Sequence, residues 1–233
     1  VVDCGTARIS RFSTGRGIQR LPIEAISQAS AKQRAGRCGR TSNGICIRLY
    51  SEIDHDNRAE FVEAEILRTS LASVILRMES QHLGKLENFP FMELPTERAI
   101  RNGQRLLIEL GALSENQSIT KIGQQLARFP LDPRLARIVL AADELNCLES
   151  CLPIIAALAS RDPRDAPEEL RQLANEKHKK WAAKNSEFAS FALIWRDWLP
   201  IRKLGQSKQR VWCKNNFLSW NRMREWSDTM IQL

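Results

Sequence analysis

Apolar and polar residues alternate in the first part of the chain and then adopt a different spacing. Residues 9–12 and 18–21 alternate around a turn-forming run at 13–17, which predicts a β-hairpin. From residue 65 onward, apolar side chains recur every three or four positions, which predicts helices. The pattern therefore predicts an α+β chain that is mostly α.

The first part of the chain has the pattern of the end of an α/β domain. Residues 1–4 are typical of the last part of a buried strand, and residues 45–50 alternate like a second strand. Ser27 or Ser30 is placed to cap a helix between them. Residues 51–64 are polar and acidic, which is typical of a linker. We therefore expect this domain to occupy residues 1–57.

Two predicted helices and a turn follow. One helix starts at Glu65 and carries six apolar residues on one face, and a second follows Thr96 and ends at Gly111. Residues 113–119 have the pattern of a small β-wing. This order predicts a winged-helix domain over residues 58–124. Acidic residues interspersed with the arginines of the second helix favour a hub between domains over a helix that reads a DNA groove.

The last part of the chain has the pattern of a helical bundle, predicted over residues 125–233. Pro133 is placed in the first turn of a helix. A charged helix is predicted from 168 to 184, and a final helix from Trp212 to the end. Between them, an aromatic stripe at helical spacing is more typical of a buried core than of base-stacking platforms; its members are Phe188, Phe191, Ile194, Trp195 and Trp198.

Positive charge is concentrated at one end of the chain. The net charge is +8, and residues 1–50 hold nine Lys and Arg against two acidic residues, whereas the rest holds 26 against 25. A charge that served only solubility would be spread along the chain. Its confinement to one end indicates a polyanion site there, for a nucleotide or a nucleic acid.

Cysteine usage and the start of the chain constrain its class. The six cysteines form no C-x-x-C pair and the three histidines do not cluster with them, which argues against zinc. Free cysteines are typical of a reducing compartment, so we expect a cytoplasmic protein. The sequence contains no long uncharged apolar run of the kind that predicts a membrane span, and its first residues lack the pattern of a signal peptide. The chain begins with Val1, not Met, which indicates a fragment of a longer protein.

The basic end contains the octet QRAGRCGR at residues 33–40. Its arginines, Arg34, Arg37 and Arg40, are three residues apart and would share one face of a helix. Arginine presents a planar fork of donors that suits phosphate. An arginine cluster on a helix is commonly just a solvated face, but two glycines in the octet favour close approach to a ligand.

The octet resembles motif VI of superfamily 2 helicases, and it is most similar to the DEAH-box branch. The flanking residues 22–32 and 44–50 resemble the same family, and the chain as a whole most resembles a bacterial RNA helicase of the DEAH-box branch. Residues 65–68 and 110–113 are similar to its winged-helix domain, and residues 212–217 match a Trp-Cys-x-x-Asn-Phe motif of its ratchet domain. The resemblance implies the end of the second RecA-like domain, then a winged helix, then a helical ratchet.

The resemblance implies a role in ATP hydrolysis for three residues of the octet. Arg37 and Arg40 are expected to act as arginine fingers on the γ-phosphate of ATP, and Gln33 to contact that phosphate or the attacking water. For Arg34 we favour a structural ion pair. Cys38 stands where the family usually has alanine.

The resemblance also implies a role for the hairpin, at residues 8–22. In this family a hairpin between motifs V and VI projects toward the nucleic acid and helps to part its strands. The hairpin carries four arginines that we expect to contact RNA: Arg8, Arg11, Arg16 and Arg20. The remaining alternative from its sequence is an ordinary edge hairpin.

Cofactors and partners follow from the same resemblance. The parent protein is expected to use ATP and Mg²⁺ for 3′–5′ translocation on single-stranded RNA and for duplex unwinding. No G-x-x-x-x-G-K-[ST] or DEAH sequence occurs in the chain, so the fragment alone is expected to bind neither cofactor and to be inactive. Expected partners are single-stranded or partly duplex RNA, the missing first RecA domain in cis, and a ribosome or ribonucleoprotein. We expect a monomer.

Two alternatives stay open at this point. The chain could belong to a non-catalytic scaffold that binds nucleic acid, or to a helicase that acts on DNA. A Walker A lysine and an acidic Mg²⁺ motif elsewhere in the parent would separate an enzyme from a scaffold. No residue here visibly reads a 2′-hydroxyl, so the sequence does not decide between RNA and DNA.

Overall fold

Short strands pair near the start of the chain in the computed structural model, which describes residues 1–13 and 18–233. Strand β1 pairs in parallel with β6, and β2–β5 and β3–β4 are antiparallel pairs. Their bounds are β1 Val2–Asp3, β2 Thr6–Arg8, β3 Arg11–Ser13, β4 Ile18–Arg20, β5 Ile23–Ala25 and β6 Ile47–Arg48. The predicted antiparallel strands on either side of residues 14–17 are therefore present, and the predicted turn lies outside the described residues.

The described residues form two compact units, Val1–Thr120 and Lys121–Leu233. The helices of the first unit are α1 Gln28–Ala35, α2 Glu52–Asp56, α3 Glu65–Arg68, α4 Ala72–Ser80 and α5 Glu97–Glu109. Those of the second are α6 Lys121–Leu126, α7 Pro133–Glu144, α8 Leu148–Ala159, α9 Arg171–His178, α10 Glu187–Trp198, α11 Gln206–Asn215 and α12 Trp220–Gln232. The fold is α+β and mostly α, as predicted. The domain boundaries placed after residues 57 and 124 stay predictions.

Residues 51–64 are not a loose linker, contrary to expectation. Ser51 caps α2 by accepting a hydrogen bond from the Asp54 N–H. The carbonyls of Ala59 and Glu60 accept hydrogen bonds from the N–H groups of Gln28 and Ala29, at 3.0 and 2.9 Å. The first N–H groups of a helix have no partner inside that helix. This acidic segment therefore caps the start of α1 and packs against it.

The apolar face predicted from Glu65 is divided between two helices. Helix α3 ends at Arg68 because Thr69 has an extended backbone and its hydroxyl donates to the Glu65 carbonyl. Helix α4 then packs against α5, and its buried residues include Leu76 and Met78. A 3₁₀ turn at Leu86–Asn88 lies between α4 and α5.

The bounds predicted for α5 and for the wing agree with the structure. Thr96 caps α5 by accepting from the Ala99 N–H, and Gly111 has φ 71° just beyond the end of the helix. A left-handed residue at this position is a common helix stop that glycine adopts without strain. Leu113 and Ile119 then form an antiparallel bridge, which is a minimal version of the predicted wing.

Two helices predicted in the second unit are interrupted. The charged segment is a 3₁₀ turn at Glu168–Leu170, then α9, then a second 3₁₀ turn at Lys179–Trp181. The final helix breaks between α11 and α12, where Phe217 has φ 52°. His178 from α9 holds this break by hydrogen bonds between its Nε2 and the carbonyls of Asn216 and Phe217. His178 and Asn216 are 38 residues apart in the sequence, so the local periodicity of apolar residues could not predict this break.

The aromatic stripe forms the core of the second unit, as predicted. Trp198 and Trp226 are fully buried, and their indole N–H groups donate to Ser227 and to the Pro153 carbonyl. Buried indoles with a satisfied N–H behave as core residues, not as exposed stacking platforms. Phe188 is the exception, at 54% exposure, because it lies in the first turn of α10, ahead of the buried part of that helix.

Candidate phosphate and nucleic-acid site

The arginine octet begins on α1 and ends in a turn. Ser27 caps α1 through the Ser30 N–H, and Gly36 is the residue at which the helix stops. The N–H groups of Arg37 and Cys38 then bond the carbonyls of Arg34 and Ala35, which closes a tight turn. The prediction that three arginines share one helical face is therefore wrong. Glycine disfavours continuation of a helix, so only Arg34 lies on α1.

The turn after α1 is packed against the chain that follows it. A Cβ on Gly44 would lie 2.4 Å from the Cys38 carbonyl oxygen, so this close approach requires glycine. The Cys38 thiol donates to the Ile45 carbonyl at 3.4 Å. Two neighbouring contacts therefore hold the turn that carries Arg37 and Arg40.

Three predicted site residues of the octet face solvent. Gln33, Arg37 and Arg40 are exposed. Within the described part of the chain, neither Arg37 nor Arg40 forms an ion pair with an acidic side chain, whereas Arg34 does. Two permanently charged guanidinium groups on one short turn, without a carboxylate partner, are suited to meet an anion.

Arg34 makes the structural ion pair that we favoured from the sequence. Its Nη1 donates to Asp3 Oδ1 at 2.7 Å and its Nη2 donates to the Thr6 carbonyl at 3.0 Å. Asp3 also accepts from the Gly5 N–H and from the Tyr50 hydroxyl, both at 3.0 Å. The end of α1 is therefore fixed to β1 by the buried carboxylate of Asp3.

The ionisation of Asp3 supports this arrangement. Burial alone would raise its pKa, but hydrogen bonds from Gly5, Arg34 and Tyr50, with the positive charge of Arg34, outweigh burial and lower the pKa below its usual value. Asp3 is 1% exposed, so its charge is held inside the unit. A buried carboxylate is tolerated when it is paired and hydrogen-bonded in this way.

Sequence reasoning missed a second layer around Asp3. Arg58 Nη1 donates to the Gly5 carbonyl at 2.8 Å, and its guanidinium lies 3.9 Å from the centre of the Tyr50 ring. Gly5 has φ 72°, and a Cβ there would lie 2.5 Å from Tyr50 and 2.8 Å from Arg58. The signal available in the sequence was Asp3, one of only two acids in residues 1–50, followed two positions later by Gly5.

The hairpin arginines are not equivalent. Arg8 and Arg20 are exposed and, within the described residues, form no ion pair. Arg11 instead donates from Nε and Nη2 to the carboxylate of Glu24, at 2.8 and 2.9 Å, and from Nη1 to Glu63 at 2.5 Å. Arg16 lies outside the described residues. The structure therefore leaves Arg8 and Arg20 available to a polyanion and engages Arg11.

Three further features of the described residues concern metal ions, membranes and cysteines. No group of three or more His, Cys, Asp or Glu residues is placed to hold a metal ion there. Among the described helices, none combines the length and the apolar character that a bilayer crossing requires. The thiols of Cys147 and Cys151 lie 3.8 Å apart at the start of α8, within hydrogen-bond distance, and are not joined by a disulfide.

Comparison with known proteins places this chain among helicases. Residues 132–193 match the ratchet-like part of the helicase associated domain (HA2), and residues 104–131 match its winged-helix part. Over its whole length the chain is 48% identical to the ATP-dependent RNA helicase HrpA of Escherichia coli and to the HrpA homolog of Haemophilus influenzae. It is 31% identical over 94% of its length to the ATP-dependent RNA helicase DHX33 of Drosophila melanogaster.

The chain spans 18% of the length of each bacterial relative and 31% of the fly protein. The similarity to the bacterial proteins covers the octet and the hairpin as well as the two helicase-associated domains. The chain therefore belongs to the family of HrpA-type ATP-dependent RNA helicases, whose helicase-associated winged-helix and ratchet-like domains it carries.

Proposed function

We propose that the protein containing this chain hydrolyses ATP and uses the energy to move 3′–5′ along single-stranded RNA and to open duplexes. The relatives named as ATP-dependent RNA helicases support this proposal. The observation that carries it here is the division of the octet. Arg34 is held by buried Asp3, while Arg37 and Arg40 are exposed in the next turn and have no carboxylate partner among the described residues.

The octet residues take different parts in this proposal. ATP supplies the phosphoryl group, on which negative charge develops during hydrolysis. Arg37 and Arg40 stabilise that charge, because their guanidinium groups are permanently charged and exposed. Gln33, which is exposed on α1 one turn before Arg37, hydrogen-bonds the γ-phosphate or orients the attacking water.

The remaining parts of the ATP site lie outside this chain in our proposal. A phosphate cradle and acidic Mg²⁺ ligands are required for this chemistry. The described residues hold no acidic cluster suited to Mg²⁺. We therefore assign the cradle and the metal ligands to a first RecA-like domain, against which residues 1–57 present the octet.

The hairpin contributes RNA contacts and strand separation. Arg8 and Arg20 are exposed, and Arg16, which lies outside the described residues, stays an RNA contact expected from the sequence. Contacts to phosphates carry no sequence information and weaken as salt increases. We therefore expect RNA binding here to be independent of base sequence and sensitive to ionic strength.

The first test is the ATPase rate of the full-length protein, measured with and without single-stranded RNA or DNA. We expect RNA to stimulate the wild type, and Arg37→Ala to bind ATP but to lose about 10³-fold in turnover, as for other arginine fingers. Arg101→Ala is the matched control, because Arg101 is exposed on α5 and paired only with Glu97. It should leave the rate unchanged.

Each alternative corresponds to a distinct result of that experiment. Normal turnover of Arg37→Ala would reduce the octet to a structural or RNA-binding cluster. Stimulation by DNA alone would keep the enzyme class and overturn the RNA substrate. A full-length protein that binds RNA but does not hydrolyse ATP would be a scaffold.

A further inference from the structure

Arg11 lies in an unusual electrostatic position within the hairpin. On β3 it is directly opposite Arg20 of β4, so two like charges form a cross-strand pair. Like charges directly opposite each other destabilise a strand pair. Only the charge of Arg11 is neutralised, because two carboxylates bind it. Within the described residues, Arg20 has no such partner, and neither has Arg8.

The contacts of Arg11 join three segments that are distant in sequence. The carboxylate of Glu24, on β5, accepts hydrogen bonds from both Nε and Nη2 of Arg11. This bidentate arrangement is one that only arginine can make. Glu63, 52 residues away, accepts Nη1 from outside the hairpin. The carboxyl of Glu24 has a lowered pKa, chiefly because of its hydrogen bond from Arg11. The charged form of Glu24 is therefore favoured at neutral pH, which keeps its ion pair with Arg11 intact.

A second arginine, Arg68, also connects the hairpin with the segment around Glu63. Arg68, at the end of α3, donates from Nε to the Glu63 carbonyl at 3.2 Å and from Nη1 to the Ser10 carbonyl at 3.3 Å. Consecutive residues of the hairpin, Ser10 and Arg11, are thereby tied to the segment that leads into α3. We call Arg11, Glu24, Glu63 and Arg68 the Arg11 cluster.

The charges of the Arg11 cluster sum to zero, since it holds two arginines and two glutamates. A phosphate that approached Arg11 would have to displace two carboxylates already bound to it. At Arg20, on the opposite strand, there is no such competition within the described residues. The two neighbouring arginines of one hairpin therefore have different chemistry.

We propose that Arg11 is a positioning residue that anchors the base of the hairpin to residues 63–68, and that it does not contact RNA. This inference rests on the proposed helicase function and replaces the RNA contact expected for Arg11 from the sequence. When the RNA strand is pulled past the hairpin, the hairpin must resist displacement in order to part the duplex. The Arg11 cluster supplies that resistance.

The test separates unwinding from RNA-stimulated ATP hydrolysis in the full-length protein. Arg11→Ala removes three charge-assisted hydrogen bonds, to Glu24 and Glu63, and should lower the rate of duplex unwinding by about tenfold or more. Its affinity for single-stranded RNA and its RNA-stimulated ATPase rate should stay at the wild-type values. Arg20→Ala is the matched control and should instead weaken RNA binding and reduce its salt dependence.

Two conservative variants distinguish anchoring from RNA contact by the direction of their effects. Arg11→Lys keeps the charge that a phosphate needs but loses the bidentate fork, so anchoring predicts slow unwinding and RNA contact predicts normal unwinding. Glu24→Gln removes one of the two carboxylates that hold Arg11 and leaves Glu63, so anchoring predicts slower unwinding at unchanged RNA affinity. If Arg11 contacts RNA, Glu24→Gln should tighten RNA binding.

The remaining outcomes are also decisive. Weakened RNA binding by Arg11→Ala, or normal unwinding by both Arg11→Ala and Arg11→Lys, would overturn the anchoring role. The proposed helicase function can hold even if the anchoring role fails. It would still be supported if Arg37→Ala bound ATP but lost its turnover. If the wild type neither hydrolysed ATP with RNA nor unwound duplexes, the proposed function would fail, and the anchoring role with it.

Discussion

At the scale of single residues, one buried acid organises the candidate site. Asp3 accepts hydrogen bonds from the backbone of Gly5, from Arg34 and from Tyr50, and it is 1% exposed. Its carboxylate neutralises Arg34 and leaves the positive charge of the octet on the exposed residues Arg37 and Arg40. One carboxylate thus separates the structural arginine from the two proposed to be functional.

The first residue-scale prediction concerns pH. Asp3 has a lower pKa in the folded chain than when unfolded, so its stabilising effect is present above the unfolded pKa, about 3.9. That effect is lost as the pH falls through the folded pKa. Asp3→Asn should therefore reduce the free energy of unfolding by about 1–3 kcal/mol at neutral pH.

The measurement is urea unfolding of both forms of this chain at neutral pH and at about pH 3, below the unfolded pKa. The difference between the two forms should shrink at the lower pH. Asp143→Asn, at an exposed position on α7, is the control and should have little effect at either pH. A deficit of equal size at both pH values would show that Asp3 acts through its shape and not through its charge.

At the scale of elements, the contact between α4 and α5 depends on a glycine. A Cβ on Gly103 of α5 would lie 2.8 Å from Ile75 Cδ1, 3.2 Å from the Ala72 nitrogen and 3.3 Å from the Leu71 carbonyl carbon. Two of these three atoms belong to the backbone and cannot rotate away. The lack of a side chain at Gly103 therefore sets how closely the two helices approach.

Gly103→Val should destabilise the first unit by about 1–3 kcal/mol, because the added methyl groups force α4 and α5 apart. Circular dichroism during urea unfolding of this chain measures the change. Gly39→Val is the matched control, since no other atom lies within 4 Å of a Cβ there. It should change stability by less than about 0.5 kcal/mol. Equal effects of the two variants would mean that β-branching, and not helix packing, is the cause.

At the scale of the whole molecule, the tryptophans are confined to one of the two units. All six tryptophans lie within Lys121–Leu233, at residues 181, 195, 198, 212, 220 and 226. Five of the six take part in ring contacts with another aromatic residue of that unit. Tryptophan fluorescence therefore reports on the core of the second unit alone.

We predict that the two units unfold in separate transitions. Gly103→Val should lower the midpoint of the first unit's transition, which is followed by circular dichroism. It should leave the midpoint of the second unit's transition, which is followed by fluorescence, unchanged. Trp226→Ala should do the reverse, with a loss of about 3–5 kcal/mol from the second unit, because it empties a fully buried position. If Gly103→Val shifted the fluorescence midpoint by the same amount, the chain would unfold as one cooperative unit.

Features that depend on neighbouring residues could be predicted from the sequence. The cap at Thr96 and the stop at Gly111 bound α5, and Pro133 starts α7. These signals work because capping and backbone preferences act within a few residues. The aromatic spacing similarly predicted the core of the second unit, and the octet with its flanks was sufficient to identify the helicase family.

The features that separate one arginine from another were decided by tertiary structure. Arg34 meets Asp3 across 31 residues, and Arg11 meets Glu63 across 52. The break before α12 is likewise held by His178 from another helix. Periodicity and charge spacing describe which residues share a face of one element, but a guanidinium finds its carboxylate only when the chain has folded. Identical arginines therefore acquired different roles from contacts that no local pattern contains.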